Sequence, residues 1–135
     1  MRRVLLDTSA YSLLMRGNKE VAELLDAADE VFLPAVVIGE LLAGFRKGSS
    51  EQRNKDILKR FLEVPRVSTL PLDDDTAERY AVIHDFLRRH GSPIPTNDLW
   101  IAASGMQHGL ALITADKHFL MLPQVVTVHV GRVDP

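Results

Sequence analysis

Apolar residues along this chain follow two alternating rhythms. Short, nearly unbroken apolar runs occur at Val4-Leu5-Leu6, Val31-Phe32-Leu33, Val67-Ser68-Thr69-Leu70, Leu110-Ala111-Leu112-Ile113 and Val125-Val126-Thr127-Val128. Most leave no polar position for a wet face, so they predict strands covered on both sides. Between them, apolar positions recur every three or four residues, as one face of a helix requires. Asn18 to Ala28 carries Val21, Leu24, Leu25 and Ala28 in this way. Pro34 suits the first turn of a helix running through Val37, Glu40 and Leu41. Ser50 to Glu63 places Ile57, Leu58, Phe61 and Leu62 on one face. Asp75-Thr76-Ala77-Glu78 reads as a capping box opening a helix through Tyr80, Ile83, His84 and Leu87, which Gly91 stops. Thr96 or Asn97 can cap a further helix through Trp100 and Ile101, ended by Gly109. This alternation predicts an α/β fold, a parallel sheet with helices on both faces.

Composition narrows the class. A chain of 135 residues with 46% hydrophobic and 25% charged residues has the balance of one ordinary globular domain, residues 1–135, and not of a disordered tail, a collagen-like repeat or a coiled coil. There is no cysteine. That excludes disulfides, zinc–thiolate sites, iron–sulfur clusters and thiol nucleophiles, and leaves oxygen or imidazole to hold any metal. Net charge is −2, so no basic coat for nucleic acid exists and any such contact must be local or metal-mediated. Arg2, Arg3 and the following apolar run resemble the start of a signal peptide, but Asp7 interrupts it. No run reaches the roughly 18 apolar residues of a membrane span. The expected location is cytoplasmic.

In a parallel α/β sheet the active site lies beyond the carboxyl ends of the strands. Asp7 follows the first strand and Asp116 follows Leu112-Ile113. Glu40 and Asp98 sit in apolar helical contexts, where a carboxylate is costly unless paired or bound to a metal. Each has an ordinary structural reading. Asp7 can cap the helix that follows, Asp98 can complement a helix dipole, and Asp116 can close an Asx-turn. Glu40 is the hardest to explain so, with no basic residue nearby before Arg46. Four carboxylates at one sheet edge would repel each other without a cation. Oxygen ligands alone point to Mg²⁺ or Mn²⁺.

Leu5-Leu6-Asp7-Thr8-Ser9, Pro34 followed by Glu40-Leu41-Leu42 and Gly44, Asn97-Asp98 with Ile101-Ala102-Ala103, and Leu112-Ile113-Thr114 with Asp116 and Phe119 stand in one order, the acids 33, 58 and 18 residues apart. Together they resemble the PIN-domain family, and more narrowly the VapC-type toxin ribonucleases of toxin–antitoxin pairs. The resemblance implies a three-layer α/β/α sandwich with a five-stranded parallel sheet and a metal-dependent endoribonuclease. By position, Asp7, Glu40, Asp98 and Asp116 would be the catalytic, metal-holding quartet, with Thr8, Ser9, Asn97 and Thr114 as supporting polar residues. It also implies an RNA substrate, a cognate antitoxin covering a groove beside the acids, and a homodimer.

Other features have a functional and a plain reading. Residues 46–60 hold six basic against two acidic residues, a local +4. Arg46 and Lys47 can contact phosphate, or the segment can be a solvated helix face. Asp73-Asp74-Asp75 reads as an acidic helix start. Of five histidines only His118, beside Asp116, has a place near the chemistry. Three rival functions remain. A PIN-like module that binds RNA or a partner without cutting would keep the same residues. A phosphoacceptor receiver would want paired acids after the first strand, and a dehalogenase-like phosphatase would want Asp-x-Asp there. The chain has Asp7-Thr8-Ser9 instead.

Overall fold

Three of the five apolar runs form the interior of a single sheet. The structure, a computed structural model, describes residues 2–131. Its elements in order are β1 (Arg3–Leu6), α1 (Thr8–Met15), α2 (Lys19–Asp26), β2 (Glu30–Pro34), α3 (Ala35–Lys47), α4 (Glu51–Leu62), β3 (Val67–Leu70), α5 (Asp74–His90), α6 (Thr96–His108), β4 (Ala111–Thr114), a 3₁₀ turn (Lys117–Met121) and β5 (Thr127–His129). The sheet is five-stranded in the order β3-β2-β1-β4-β5, every pairing parallel. Consecutive residues Val4, Leu5 and Leu6 of β1 are all buried, as are Leu112 and Ile113 of β4. Successive strand side chains point to opposite faces, so both faces of the centre are covered. The edge strands are wetter: Ser68 and Thr69 of β3 are exposed.

Two helix starts differ from the sequence pattern. The capping box of α5 is built by Asp73 and Thr76, not from Asp75. Thr76 returns its hydroxyl to the Asp73 N–H at 3.1 Å, the role a glutamate at that position would fill. Thr76 is fully buried, and Gln107 of α6 bridges to it and to Asp73, clipping α5 to α6. Asp74 and Asp75 lie in the first turn, the acidic helix start expected of them. In α6 the cap position is Pro95, with no side-chain cap, so neither Thr96 nor Asn97 caps it. The Asn97 amide is used elsewhere, on Glu40. Gly91 and Gly109 do end α5 and α6, each at φ 64°, the left-handed region glycine favours. Among the described residues no helix is long and apolar enough to cross a membrane.

The chain lays β1, β2 and β3 toward one edge, then crosses back to lay β4 and β5 toward the other. The reversal falls between β1 and β4. At such a switch point the connections leaving two neighbouring strands part in opposite directions and open a crevice beyond the strand ends.

Candidate functional site

Asp7 and Asp116 stand on either side of that crevice, just past β1 and just past β4. Asp7 is buried and its carboxylate accepts three hydrogen bonds. The Ala10 N–H and the Ser9 hydroxyl each reach Oδ1 at 2.8 Å, and the Thr114 hydroxyl reaches Oδ2 at 2.5 Å. Asp7 thus caps α1 and also faces the crevice. Burial pushes its carboxyl above the ordinary carboxylate value although these donors oppose it, and the nearby Asp116 charge adds to the rise. Thr114 is fully buried and accepts the Asp116 N–H at 2.9 Å, tying the end of β4 to its own turn. Ser9 also accepts the Ala115 N–H at 3.0 Å, so Ser9 and Thr114 together stitch the two strand ends.

Glu40 arrives from the second turn of α3. The Thr8 hydroxyl from α1 donates to its Oε1 at 2.6 Å and the Asn97 amide from α6 donates to its Oε2 at 3.2 Å. Asp98, in the first turn of α6, is buried to 9% exposure, and its Oδ2 has no hydrogen-bond partner. Its carboxyl is pushed up to about 7. Burial is the main cause, followed by the charge of Asp116; Glu40 adds to the rise and His118 opposes it. The four acids therefore feel one another: Asp7 feels Asp116, and Asp98 feels both Asp116 and Glu40. Sequence positions 7, 40, 98 and 116 lie at one end of one sheet; of the four, Asp98 and Asp116 offer ligand atoms close enough to share an ion, while Asp7 and Glu40 are held beside them by other hydrogen bonds.

Asp116 closes the expected Asx-turn, accepting the His118 N–H at 2.9 Å. The turn brings the imidazole back over the acids. His118 Nδ1 lies 2.9 Å from Asp116 Oδ1 and 3.3 Å from Asp98 Oδ2. Asp98, Asp116 and His118 offer ligand atoms within 4.8 Å of one another. The buried Asp98 oxygen makes no hydrogen bond and is met only by the imidazole at 3.3 Å; with this clustering of donors it fits a divalent cation, since crowded buried carboxylates need positive charge beside them. An open groove of about 920 Å³ begins at Ser9 and Ala115 and is lined by Ser12, Arg16 and Lys19. Arg46 and Lys47 lie in the exposed last turn of α3, where Arg46 approaches Glu51 at 3.8 Å. The groove cations were not singled out in the sequence. Only the topology shows that the α1–α2 connection runs beside the β4 turn.

A family model described as PIN domain matches residues 4–123. The chain belongs to the PIN-domain family. Ribonuclease VapC5 of Mycobacterium tuberculosis is 31% identical over 128 residues, which cover 95% of this PIN chain and 93% of that protein. The solved VapBC2 complex of Rickettsia felis, bound to a DNA fragment from its promoter, shares the fold at a TM-score of 0.86 and 20% identity, covering 95% of this chain and 98% of that one. VapBC-5 of Mycobacterium tuberculosis, a member of the VapBC family of toxin–antitoxin systems, matches at a TM-score of 0.74 and 28% identity, covering 96% and 100%. The five-stranded parallel sheet and the helical cover expected from the sequence are those of a PIN domain.

Proposed function

We propose that this chain is a Mg²⁺- or Mn²⁺-dependent endoribonuclease, the toxin of a toxin–antitoxin pair. The observation that carries the reading is the cluster of Asp98, Asp116 and His118 at the switch point of a PIN sheet, with Asp7 and Glu40 close enough for their charges to act on it. Kinship with ribonucleases named VapC supports it.

Asp98 and Asp116 would hold the ion, with Asp7 and Glu40 completing an anionic cup. A bound divalent ion would screen the phosphodiester charge and lower the pKa of an attacking water. The chain's own groups supply positioning. Thr114, Ser9 and the Ala10 N–H fix Asp7. Thr8 and Asn97 hold Glu40 from two different helices, which keeps one carboxylate at a set place on the rim. The groove lined by Arg16 and Lys19 suits an RNA strand entering beside the acids, and Arg46 and Lys47 are further candidates for phosphate contact. A cognate antitoxin that covers the groove would silence the site. The relationship to VapBC-5 supports such a partner. The same reading places one PIN domain over residues 1–135, working as a homodimer in the cytoplasm.

The test is cleavage of total RNA by untagged protein with Mn²⁺, with and without EDTA, beside Asp7→Asn and Asp98→Asn. Cleavage that needs the metal and vanishes in both variants is expected. RNA binding without any cleavage would leave a non-catalytic module instead, and wild-type rates in both variants would remove the site assignment.

A further inference from the structure

The acidic quartet read from the sequence offers oxygen ligands, with His118 noted only as a neighbour of Asp116. The fold adds an imidazole. His118 hangs from the 3₁₀ turn after β4, half-exposed, with Nδ1 pointing between Asp98 and Asp116. Its 2.9 and 3.3 Å separations from their oxygens can be compared with the edge of a coordination shell. Ligands bonded at about 2.0–2.1 Å stand about 2.9 Å apart when cis in an octahedron and about 3.3 Å apart in a tetrahedron. Both separations from His118 Nδ1 thus fall in the range of neighbouring ligands on one small cation, and all three ligand atoms lie within 4.8 Å of one another. The same nitrogen faces both carboxylates, and the Asp98 oxygen it approaches makes no hydrogen bond.

We propose that His118 Nδ1 is a direct ligand of the divalent ion, making this a mixed carboxylate–imidazole site that prefers Mn²⁺ to Mg²⁺. The inference rests on the metal-dependent reading above. Mg²⁺ takes oxygen ligands and keeps much of its water, so a nitrogen donor adds little to its binding. First-row transition ions accept imidazole readily, and affinity for such donors rises along that row. His118 then acts on ion selection, while the carboxylates supply most of the charge.

Untagged, metal-free protein is titrated with Mn²⁺ alone and with Mg²⁺ alone by calorimetry. The Mn²⁺ form is examined by electron spin-echo spectroscopy for nitrogen modulation. Wild type should show coupling to one imidazole nitrogen and bind Mn²⁺ more tightly than Mg²⁺. His118→Ala should lose the coupling and about tenfold or more in Mn²⁺ affinity, with a smaller change for Mg²⁺. His118→Asp, which returns an oxygen donor, should recover binding without nitrogen coupling and with a weaker preference for Mn²⁺. Tight Mn²⁺ binding with no nitrogen coupling in wild type would overturn the role of His118 and leave the nuclease reading standing. Failure of wild type to bind either ion would overturn both.

Discussion

Asp98→Asn should stabilise the metal-free protein at alkaline pH while abolishing cleavage. In the folded chain the Asp98 carboxyl is pushed up to about 7, against 3.8 without its surroundings. At about 1.4 kcal/mol per tenfold change in proton affinity, ionising it in the folded chain costs about 4 kcal/mol more than in the unfolded chain. The folded state holds this proton more tightly. Its contribution to stability is therefore complete below about pH 4, declines as pH rises and is gone above about pH 7. Between pH 5 and pH 8, wild type in EDTA should lose about 2–3 kcal/mol from this group. Asp7, raised by its own burial, changes stability in the same direction. Asparagine keeps the shape and removes the charge. It also removes a favourable interaction with the start of α6, worth about 0.3–1 kcal/mol, which is the smaller effect. Urea denaturation at pH 5 and pH 8 reads the result. The variant should show a flatter pH dependence and be the more stable protein at pH 8. Mn²⁺ at a hundredfold its dissociation constant should return about 2.7 kcal/mol to wild type and little to the variant. The reasoning fails if wild type in EDTA is as stable at pH 8 as at pH 5, or if Asp98→Asn is the weaker protein at pH 8.

Asp7→Asn and Asp7→Ala should both lose cleavage, but only alanine removes the α1 cap, lowering stability by about 1 kcal/mol more in the same denaturation assay. Thr8→Val combined with Asn97→Ala strips both donors from Glu40; turnover should fall roughly 10- to 100-fold with a melting temperature close to wild type, measured by RNA cleavage and calorimetry. Gln107→Leu breaks the clip on buried Thr76 and should cost about 1–3 kcal/mol of stability, with kcat unchanged. Arg16→Ala with Lys19→Ala should weaken RNA binding more at low than at high salt, and more than Arg46→Ala with Lys47→Ala does, as read by binding titrations at two ionic strengths.

The strands were legible because their burial demands unbroken apolar runs. Val67–Leu70 is β3 as read, and the runs at Val4, Val31 and Leu110 mark β1, β2 and β4 to within a residue or so. β5 starts later than its run suggests, at Thr127, because Val126 is an exposed residue before the strand. Helix starts were harder. Three aspartates in a row let any of them cap, and the choice of Asp73 depended on its partner Gln107, 34 residues away. Ser50 stands at the start of α4 as expected but makes no side-chain cap. The acids could be read because carboxylates in apolar settings stand out. His118 could not be assigned, since a residue two beyond an Asx-turn can face solvent or site, and only the 3₁₀ turn decides which. The groove cations were hidden because Ala115 and Gly131, which line the groove with them, come from distant parts of the chain.

The ordinary and the functional readings of the acids turn out to be compatible. Asp7 caps α1, Asp116 caps the 3₁₀ turn and Asp98 sits in the first turn of α6. This follows from the architecture. In a parallel sheet the strand ends are where the next turns and helices begin, so a residue that satisfies a helix start also faces the crevice. Glu40 has no such task. It lies inside α3, away from either end, and its hydrogen bonds run outward to α1 and α6. Folding alone would be served as well by an apolar residue there, without the mutual repulsion that Asp98 already registers. The four acids therefore differ in what their loss should do. Asp7 serves the fold through its cap while burial works against its charge, Asp98 sets stability and chemistry against each other, Asp116 caps the 3₁₀ turn beside the site, and Glu40 bears mainly on the chemistry. A pattern of that kind is expected of charges gathered to receive a cation, because local capping alone would make every one of these acids stabilising in the absence of metal.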